Sequence, residues 1–464
     1  MRYSLEQIDE TIFRAYDVRG IVDQNLTDAL VYHLGRAFAA YSLAENCSEV
    51  VVAADGRLSG PRFKRLLSEG LTDGGCDVKD IGLFPTPVLY YAALNQGKGT
   101  GTGIMITGSH NPSDYNGFKM MLNGHTLSGD EIQHLKQRII DKDYSEGNGA
   151  TEQLPIIDHY DQYIANDIKL TRPLKIVVDC GNGIAGNNAP ALLERLGCEV
   201  IPLFCDVDGT FPNHHPDPGK PENLQDVIAA VEEHQADIGL AFDGDGDRVG
   251  VVTEKGNIIY PDRVMMLFAE DILSRNPEAE IIYDVKCSRL LAKVIESAGG
   301  KATMWKTGHS LIKGRMKETG ALLAGEMSGH IFFKERWFGF DDGLYSAARL
   351  LEILAASDQS IDQMFSRYPE DVSTPELNIT VTDENKFDII SQLQQVEFPD
   401  ANVSRIDGVR VDFADGWGLV RASNTTPVLV LRFEAENQQA LNRIREEFQQ
   451  HLYQVDAGLT IPQS

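Results

Sequence analysis

The chain has 464 residues, and its 69 Asp and Glu against 42 Lys and Arg give a formal charge of −27. A surface this acidic argues against general binding to nucleic acid or to an anionic membrane. The length allows about three or four domains, and a hydrophobic fraction of 42% is typical of globular proteins with sizeable cores. Any anionic ligand must therefore be held by a local basic pocket.

The cysteines and the first residues indicate the compartment. Six cysteines are scattered without a C-x-x-C pair, which argues against a zinc site or a disulfide framework. The N-terminus lacks the basic and apolar regions of a signal peptide, and no apolar run approaches the roughly 18 residues of a membrane span. We expect a protein of the reducing cytoplasm, with no membrane and no nucleic acid as partner.

Helical and strand patterns alternate in the first part of the chain, which predicts an α/β domain. The patterns predict helices over residues 26–44 and 61–72 and strands over residues 49–53 and 77–81. Two polar loops accompany these elements, at residues 13–20 and 55–57. Taken alone, the first is typical of a surface ion-pair network and the second of a structural turn.

The apolar run Gly103–Ile106 predicts a buried strand that ends in the loop 107–112, of sequence TGSHNP. Ser109 is exposed by this turn at the end of the strand and has His110 beside it, so it is a candidate nucleophile. A turn without function explains the hexapeptide equally well. No acid is placed in the sequence to orient His110 as in a hydrolase, so other loops must supply the partners of Ser109.

A second unit begins near residue 154, with a predicted helix at 159–168 and a buried strand at 174–179. The strand ends in GNGIAG at residues 181–186, and Asp206 lies about 20 residues further on, as a dinucleotide-binding fingerprint requires. This predicts a dinucleotide-binding oxidoreductase. The same glycines also serve any tight strand-to-helix turn with close packing, so the alternative stays open.

The predicted strand 237–242 ends in the loop 243–248, of sequence DGDGDR, and a strand resumes at residue 249. The carboxylates of Asp243, Asp245 and Asp247 can converge on one cation, and such hard ligands suit magnesium or calcium. Arg248 stands where a calcium EF-hand loop needs glycine, and strands flank the loop instead of helices. Octahedral magnesium would keep positions open for a phosphate oxygen, whereas a solvated acidic turn is the alternative without function.

Strands predicted at 280–285, 302–305 and 321–324 each end in a polar loop. Ligands bind at the carboxyl ends of strands in open α/β sheets. Lys286 and His309 offer positive charge for a phosphate, and Glu326 and Ser328 offer groups that hydrogen-bond sugar hydroxyls. We therefore expect a sugar phosphate at this edge.

The last unit has a different pattern, with strands predicted at 377–381, 409–413, 419–421 and 428–433 and a helix at 438–452. This predicts a small antiparallel α+β domain. The loop that starts at Arg421 combines a guanidinium, hydroxyls and an amide, in Ser423, Asn424 and Thr425. Such a set suits a phosphate dianion, although a polar hairpin is the simpler explanation of the loop alone.

These loops together resemble the α-D-phosphohexomutases, most closely their bacterial phosphomannomutase/phosphoglucomutase branch. The matching segments follow the family order over nearly the whole chain, at residues 13–20, 107–112, 243–248, 325–330 and 421–425. The resemblance implies an α/β fold, with three similar α/β domains with mixed sheets and a smaller C-terminal α+β domain around a central cleft. We expect the four domains, with phosphoserine, metal, sugar and phosphate loops in that order, at residues 1–152, 153–257, 258–370 and 371–464.

The resemblance also implies an isomerase that interconverts hexose 1-phosphates and 6-phosphates. Ser109 would carry a phosphoryl group and contact Mg²⁺, which the three aspartates of residues 243–247 would bind. A hexose 1,6-bisphosphate would be the intermediate and activator. The resemblance assigns general acid and base roles to Lys119, His309 and Arg19, with His110 as an alternative.

Residues that would bind the phosphosugar are assigned in the same way; they are Tyr16, Arg248, Lys286, His309, Glu326, Ser328, His330, Arg421, Ser423, Asn424 and Thr425. If Glu326 and Ser328 hold the 3- and 4-hydroxyls, the C2 hydroxyl is not read, and glucose and mannose are both accepted. Phosphoglucosamine mutases, an alternative, usually carry glutamine at the position of Met327. That difference disfavours an amino sugar without excluding it.

Overall fold

The computed structural model describes residues 3–5, 7–95, 97–424 and 426–463, and within them the chain forms three α/β units followed by an α+β unit. The strands of the first unit are β1 (Val18–Ile21), β2 (Glu49–Ala54), β3 (Asp77–Leu83), β4 (Gly103–Ile106), β5 (Tyr115–Leu122), β6 (His125–Thr126) and β7 (Thr151–Gln153). Its helices are α1 (Asp28–Ala44), α2 (Gly60–Asp73), α3 (Thr86–Asn95) and α4 (Asp130–Asp141).

The second unit contains helices α5 (Ile157–Asp167), α6 (Ala189–Arg195) and α7 (Gln225–His234), and strands β8 (Lys175–Asp179), β9 (Glu199–Leu203), β10 (Ile238–Phe242), β11 (Val249–Thr253) and β12 (Ile258–Ile259). The third contains helices α8 (Pro261–Arg275), α9 (Arg289–Ser297), α10 (His309–Thr319), α11 (Gly343–Ala355) and α12 (Ile361–Ser366), and strands β13 (Glu280–Asp284), β14 (Lys301–Trp305), β15 (Leu323–Gly325) and β16 (Ile331–Phe333).

The fourth unit is an antiparallel sheet with two helices packed on it. Its strands are β17 (Val372–Ser373), β18 (Leu377–Thr380), β19 (Asn402–Ser404), β20 (Val409–Phe413), β21 (Gly416–Ala422) and β22 (Val428–Ala435), and its helices are α13 (Lys386–Leu393) and α14 (Gln438–Val455). Among the described residues, no helix combines the length and the apolar character that crossing a membrane requires.

The three α/β units repeat one mixed topology. In the first, β2 runs parallel to both β3 and β4, and β5 is antiparallel to β4. Strands β8 to β11 repeat this arrangement in the second unit, and β13 to β16 repeat it in the third. The mixed sheets and the antiparallel fourth unit confirm the predicted fold class.

The repeat places three of the polar loops in equivalent positions. Each follows the third strand of the repeated arrangement and leads into its antiparallel strand, as residues 107–114 do between β4 and β5. Residues 243–248 connect β10 to β11, and residues 326–330 connect β15 to β16. One feature of the topology therefore brings Ser109, the three aspartates and Glu326 to the same side of their sheets.

The strands are apolar because helices cover both faces of their sheets. Every residue of β2 is buried, with α1 and α2 packed on one face and α3 on the other. One hydrophobic core then runs from α3 through the sheets of the second and third units. The fourth unit has a core of its own.

Some boundaries differ from the sequence prediction. The strand predicted at 419–421 is β21, which begins at Gly416 because Ile444 and Phe448 of α14 occupy the space above Gly416 and Gly418. The glycines that look like turn residues are thus sites of close packing. The expected domain limit at 152/153 falls inside β7, which pairs with β3, and the limit at 257/258 separates β12 from its partner β11.

Candidate active site

The polar loops line one cleft of about 790 Å³, to which all four units contribute. The lining includes most of the residues expected to bind substrate or to catalyse: Tyr16, Arg19, Ser109, His110, Lys119, Arg248, Lys286, His309, Glu326, Ser328, His330, Arg421, Ser423 and Asn424. Thr425 lies outside the described residues. The three aspartates of the metal loop, residues 243–248, are fully buried behind this lining.

Ser109 has a backbone conformation that is uncommon for a residue with a side chain. Its φ is +50°, in the left-handed region, and its N–H donates to Thr107 Oγ1 at 2.7 Å. Its Oγ lies 3.2 Å from His110 Nδ1 and 3.4 Å from Asp243 Oδ2. Strain of this kind persists where the surroundings hold the backbone, and it is frequent at active sites.

Arg57 holds the loop that carries Ser109. This arginine is buried, and Asp55 Oδ2 accepts from its Nε at 3.2 Å. Its other nitrogens donate to loop carbonyls at distances from 2.5 to 2.9 Å, those of Ser109, Asn111, Pro112 and Tyr115. Residues 55–57 are structural, as the sequence indicated, and the structure adds what they support, namely the conformation of Ser109.

The carboxylates of Asp243, Asp245 and Asp247 form a cluster whose potential ligand oxygens all lie within 4.8 Å of one another. Among the described residues, Oδ1 of Asp245 and Oδ1 of Asp247 have no hydrogen-bond partner although both are buried. Unpaired buried carboxylate oxygens are costly unless a cation satisfies them. The cluster therefore fits a hard divalent cation such as magnesium.

Basic side chains compensate part of this charge. Lys119 Nζ lies 2.7 Å from Asp245 Oδ2 and 2.5 Å from Asp247 Oδ2, and Arg248 Nε lies 3.0 Å from Asp243 Oδ2. Burial raises the pKa of Asp243 to about 7, reinforced by its acidic neighbours and opposed by Arg248. Burial disfavours the charge of Lys119, but Asp245 and Asp247 outweigh it and raise its pKa well above the ordinary value. His330 Nδ1 also lies 3.6 Å from Asp247 Oδ1, whereas Asp245 Oδ1 has neither an ion pair nor a hydrogen bond among the described residues and is free to bind a cation.

Arg248 connects the metal loop to the sugar loop, residues 326–330. It forms an isolated antiparallel bridge with His330, and its Nη1 donates to Ser328 O at 3.1 Å. Within the sugar loop, Glu326 accepts from Gly308 N and, at 3.3 Å, from Ser328 Oγ. Burial raises the pKa of Glu326, while His330 acts in the opposite direction. The two loops are thus held in one fixed arrangement.

Two histidines of the third unit stack beside the metal loop, with ring centroids 5.6 Å apart. Burial lowers the pKa of His309 well below its ordinary value, and Lys313 adds to the effect. Burial also opposes the charge of His330, but Asp247 and Asp341 outweigh it and raise its pKa. The surroundings therefore favour the neutral form of His309 and the charged form of His330, side by side.

Asp341 is a site residue that the sequence analysis missed. Its Oδ2 lies 3.0 Å from His330 Nδ1, and its Oδ1 accepts from Lys313 Nζ at 2.9 Å. The neighbouring Asp342 is the N-cap of α11, and its side chain accepts from Tyr345 N. An Asp-Asp pair before a helix looks like a capping sequence, so the pattern conceals the second carboxylate.

The remaining basic residues are held by acidic or amide partners. Arg19 Nη1 donates to Asn111 Oδ1 at 2.9 Å, which places its guanidinium at the Ser109 loop. Lys286 Nζ donates to Glu376 Oε2 at 3.0 Å, and Arg421 Nε to Asp407 Oδ2 at 2.9 Å. Arg421 Nη2 is buried and has no hydrogen-bond partner among the described residues. An oxygen of a phosphate would suit that free donor.

His110 lies among positive charges. Burial lowers its pKa well below the ordinary value, and Arg248 and Arg19 contribute to the effect. The carboxylate near Ser109 belongs to the metal loop, so the arrangement differs from a hydrolase triad, in which an acid orients the histidine.

The dinucleotide fingerprint has a different use in this fold. Its glycines connect β8 to a 3₁₀ turn at Ile184–Asn187. A Cβ on Gly181 would lie 3.1 Å from His214, and one on Gly183 would lie 3.1 Å from Gly244. Atoms of distant segments are thus in contact with both glycines, so the glycines serve close packing. The metal loop likewise joins two strands, β10 and β11, which excludes an EF-hand.

A serine 3.4 Å from one of three clustered, buried carboxylates, in a cleft lined by basic residues, is the arrangement of a metal-assisted enzyme of phosphoryl transfer. The chain matches the phosphoglucomutase/phosphomannomutase alpha/beta/alpha domains I, II and III and the C-terminal domain, over residues 10–146, 157–256, 260–371 and 376–451. The chain belongs to this family. It is an isomerase, a hexose-phosphate mutase, as the resemblance implied.

Individual relatives agree over almost the whole length. A phosphomannomutase/phosphoglucomutase of Pseudomonas putida is 61% identical over 457 residues, 98% of each protein. A phosphoglucomutase of Neisseria meningitidis is 55% identical and covers 96% of this chain and 97% of its own. The crystal structure of a phosphoglucomutase/phosphomannomutase family protein from Burkholderia thailandensis has a TM-score of 0.94 and 53% identity, over 98% of this chain and 100% of its own.

Proposed function

We propose that the chain interconverts the 1-phosphates and 6-phosphates of both mannose and glucose, with Ser109 as the phosphoryl carrier. The observation that carries the proposal is the 3.4 Å approach of Ser109 Oγ to Asp243, in a cleft that Arg421 of the fourth unit also lines. One phosphate can thus react at Ser109 while the other is held by the distal loop. The free cysteines fit a reducing cytoplasm as its compartment.

Asp243, Asp245 and Asp247 would hold Mg²⁺ together with an oxygen on Ser109. When bound, the ion neutralises charge on the phosphoryl group and thereby supports its transfer. Lys119, Arg248 and Arg19 belong to the same part of the cleft and add positive charge around the reacting oxygens. These roles rest on the buried unpaired oxygens of the cluster and on the ion pairs of Lys119 and Arg248.

In the proposed cycle, the phosphoryl group of Ser109 passes to the free hydroxyl of a hexose phosphate, and that hydroxyl gives up its proton. His309, with its lowered pKa, suits the role of base, and charged Lys119 suits that of acid. The resulting hexose 1,6-bisphosphate turns over in the cleft and returns its other phosphate to Ser109. The distal phosphate is held by Arg421, Ser423, Asn424 and Thr425.

Acceptance of both sugars follows from which sugar hydroxyls the protein would contact. Glu326 and Ser328 would bind the 3- and 4-hydroxyls, whereas glucose and mannose differ at C2. The names of the Pseudomonas and Neisseria relatives support these two sugars. Met327 lacks an amide that could bind an amino sugar, so phosphoglucosamine remains the less favoured substrate.

The test is conversion of glucose 1-phosphate, mannose 1-phosphate and glucosamine 1-phosphate, with Mg²⁺ and a trace of the matching 1,6-bisphosphate. We expect both neutral sugars to give 6-phosphates, and Ser109→Ala to lose at least about 10³-fold in kcat because the carrier is absent. Intact mass should show a phosphoryl group on the native protein and none on Ser109→Ala. Conversion of neither neutral sugar would refute the proposal.

A further inference from the structure

Two cysteines of the second unit lie in contact behind the metal loop. Cys180 and Cys205 follow β8 and β9, which are parallel neighbours, and their Sγ atoms are 3.5 Å apart. The register of the two strands, in which Asp179 is paired with Leu203, brings the residues that follow them close together. The two thiols are free in this structure and are placed to form a bond.

The two thiols differ in exposure and acidity. Cys205 is partly exposed, whereas Cys180 is fully buried. The hydrogen bond with Cys180 lowers the pKa of Cys205, although burial and Asp179 oppose the change. The same contact and burial raise the pKa of Cys180. Because the thiolate is the reactive form, Cys205 is the thiol that meets an oxidant first.

We propose that Cys180 and Cys205 are a peroxide-oxidisable dithiol whose disulfide changes the position of the metal loop. The Cys205 thiolate attacks an oxygen of hydrogen peroxide, the O–O bond breaks, and the products are a sulfenic acid and one water once the departing hydroxide is protonated. Cys180 then attacks that sulfur and displaces hydroxide, which leaves as a second water. Two thiols are oxidised to one disulfide while one peroxide is reduced to two waters.

The segment between the cysteines and the active site transmits the change. Ile184 N donates to Gly244 O of the metal loop at 3.1 Å, and a Cβ on Gly183 would lie 3.1 Å from the Cα of Gly244. The same segment packs on Cys205, because a Cβ on Gly186 would lie 2.0 Å from Cys205 O. Drawing the sulfurs from contact to a bond of about 2.05 Å must shift this tightly packed segment.

The experiment treats the full-length enzyme with hydrogen peroxide and measures disulfides by peptide mass and turnover by mutase assay. We expect a Cys180–Cys205 linked peptide and a fall in kcat of about tenfold, since misplacement of reacting groups by about 1 Å can cost up to about 10²-fold. Dithiothreitol should restore the free thiols and the original kcat. Absence of the linked peptide would refute the proposal that Cys180 and Cys205 form a disulfide. A linked peptide with unchanged kcat overturns its effect on the metal loop.

Two variants make the result specific, each compared with its own untreated activity. Cys205→Ser removes the first thiol and should keep its kcat under peroxide. Cys198→Ser removes a buried cysteine of the same unit and should respond like the native protein. Equal loss of activity in Cys205→Ser would assign the effect to another residue and refute the proposal. The mass measurement does not depend on the mutase activity, so failure of one proposal is separable from failure of the other.

Discussion

Single residues outside the polar loops determine how the reacting groups are held. Arg57 satisfies loop carbonyls around Ser109, and Asp341 joins His330 to Lys313. Each is a buried charge with several partners, an arrangement that is costly to disturb because the partners are then left unpaired. Changes at such positions should alter the reaction without any contact to the substrate.

Arg57→Lys is the first such change. Lysine has no planar fork and cannot donate to the same set of carbonyls, so the Ser109 loop should relax. We expect kcat to fall about 10²-fold, while KM for hexose 1-phosphate changes little because the sugar and distal loops lie on other units. Steady-state kinetics measure both. Arg62→Lys, at an arginine paired with Asp23 on the surface, is the control and should behave like the native enzyme.

Asp161 predicts a pH dependence of stability. Burial raises its pKa to about 6, against the effects of Arg195 and Asn188. A carboxyl group whose pKa is raised in the folded state favours the native state when it is protonated. Its charge therefore does not reduce the free energy of unfolding below the unfolded pKa of about 4, and it reduces that free energy by the full amount above pH 6. Asp161→Asn should therefore be more stable than the native protein by about 1 to 2 kcal/mol at pH 8, and not at pH 4.

Unfolding in urea at the two pH values measures this difference. Glu233→Gln is the control, because Glu233 is exposed on α7 of the same unit and is not among the groups that shift the pKa of Asp161. An equal gain for Asp161→Asn at pH 4 and pH 8 would contradict the assignment, since an effect of packing alone does not titrate.

At the scale of elements, one strand–loop–strand arrangement is used three times for different chemistry. The loop after the last parallel strand carries the serine in the first unit, carboxylates in the second and sugar-binding groups in the third. The backbone of each loop must turn sharply from the parallel strand into the antiparallel one. Positions with a left-handed backbone are therefore sensitive in these loops.

Gly246→Ala tests the metal loop. Gly246 has φ +72°, and an added Cβ would lie 3.0 Å from Pro85 Cβ and 3.4 Å from Leu344 Cδ1. The strain of about 1–2 kcal/mol should spread the aspartates, and a loss of about 1.4 kcal/mol in binding is tenfold in affinity. We expect about a tenfold higher Mg²⁺ concentration for half-maximal activity.

Gly256→Ala is the matched control for this change. Gly256 also has a left-handed backbone, with φ +78° and Ile228 3.0 Å from an added Cβ, but it lies in the turn between β11 and β12. It should lose similar stability without a change in Mg²⁺ dependence. An equal change in both variants would show that general destabilisation, not the metal loop, is responsible.

At the scale of the molecule, the fourth unit is the separable part. One core joins parts of the first three units, whereas the fourth has a core of its own and contacts the third through Trp417, Val285 and Arg410. Trp417 is fully buried, and the guanidinium of Arg410 lies 3.9 Å from its ring centroid. This contact is one of those that hold the fourth unit, and with it Arg421, against the third.

Trp417→Ala should loosen the interface, at a cost of about 3–5 kcal/mol for removal of a buried tryptophan. We expect the distal phosphate to be held less well, so that KM for hexose 1-phosphate rises about tenfold or more. A loss of about 1.4 kcal/mol in binding free energy corresponds to a tenfold change. Limited proteolysis should cut faster near residue 371. Trp417→Phe, which keeps an aromatic ring beside Arg410, is the control. An unchanged KM in a variant that is cut faster would contradict this role.

Local patterns predicted α/β units, a last α+β unit and most of the loops that line the cleft, whereas the arrangement of the four domains was implied by the family resemblance. Apolar runs that end in glycine and polar residues predict strands and their loops, because burial and turn chemistry act over a few neighbouring residues. The loops at Ser109, Asp243 and Arg421 could be recognised for that reason, and their order along the chain led to the family. The strand predicted at 419–421 begins earlier, at Gly416, and the helix that packs on Gly416 and Gly418 is distant in sequence.

Contacts between distant segments were accessible only in the folded chain. Arg57 and Ser109 are 52 residues apart, Lys119 and Asp247 are 128 apart, and Cys180 and Cys205 are 25 apart on different strands. Neither spacing nor periodicity specifies which side chains meet when sheets and helices pack. The chemical groups of this enzyme can be read from its residues, whereas their partners, protonation and strain are consequences of packing.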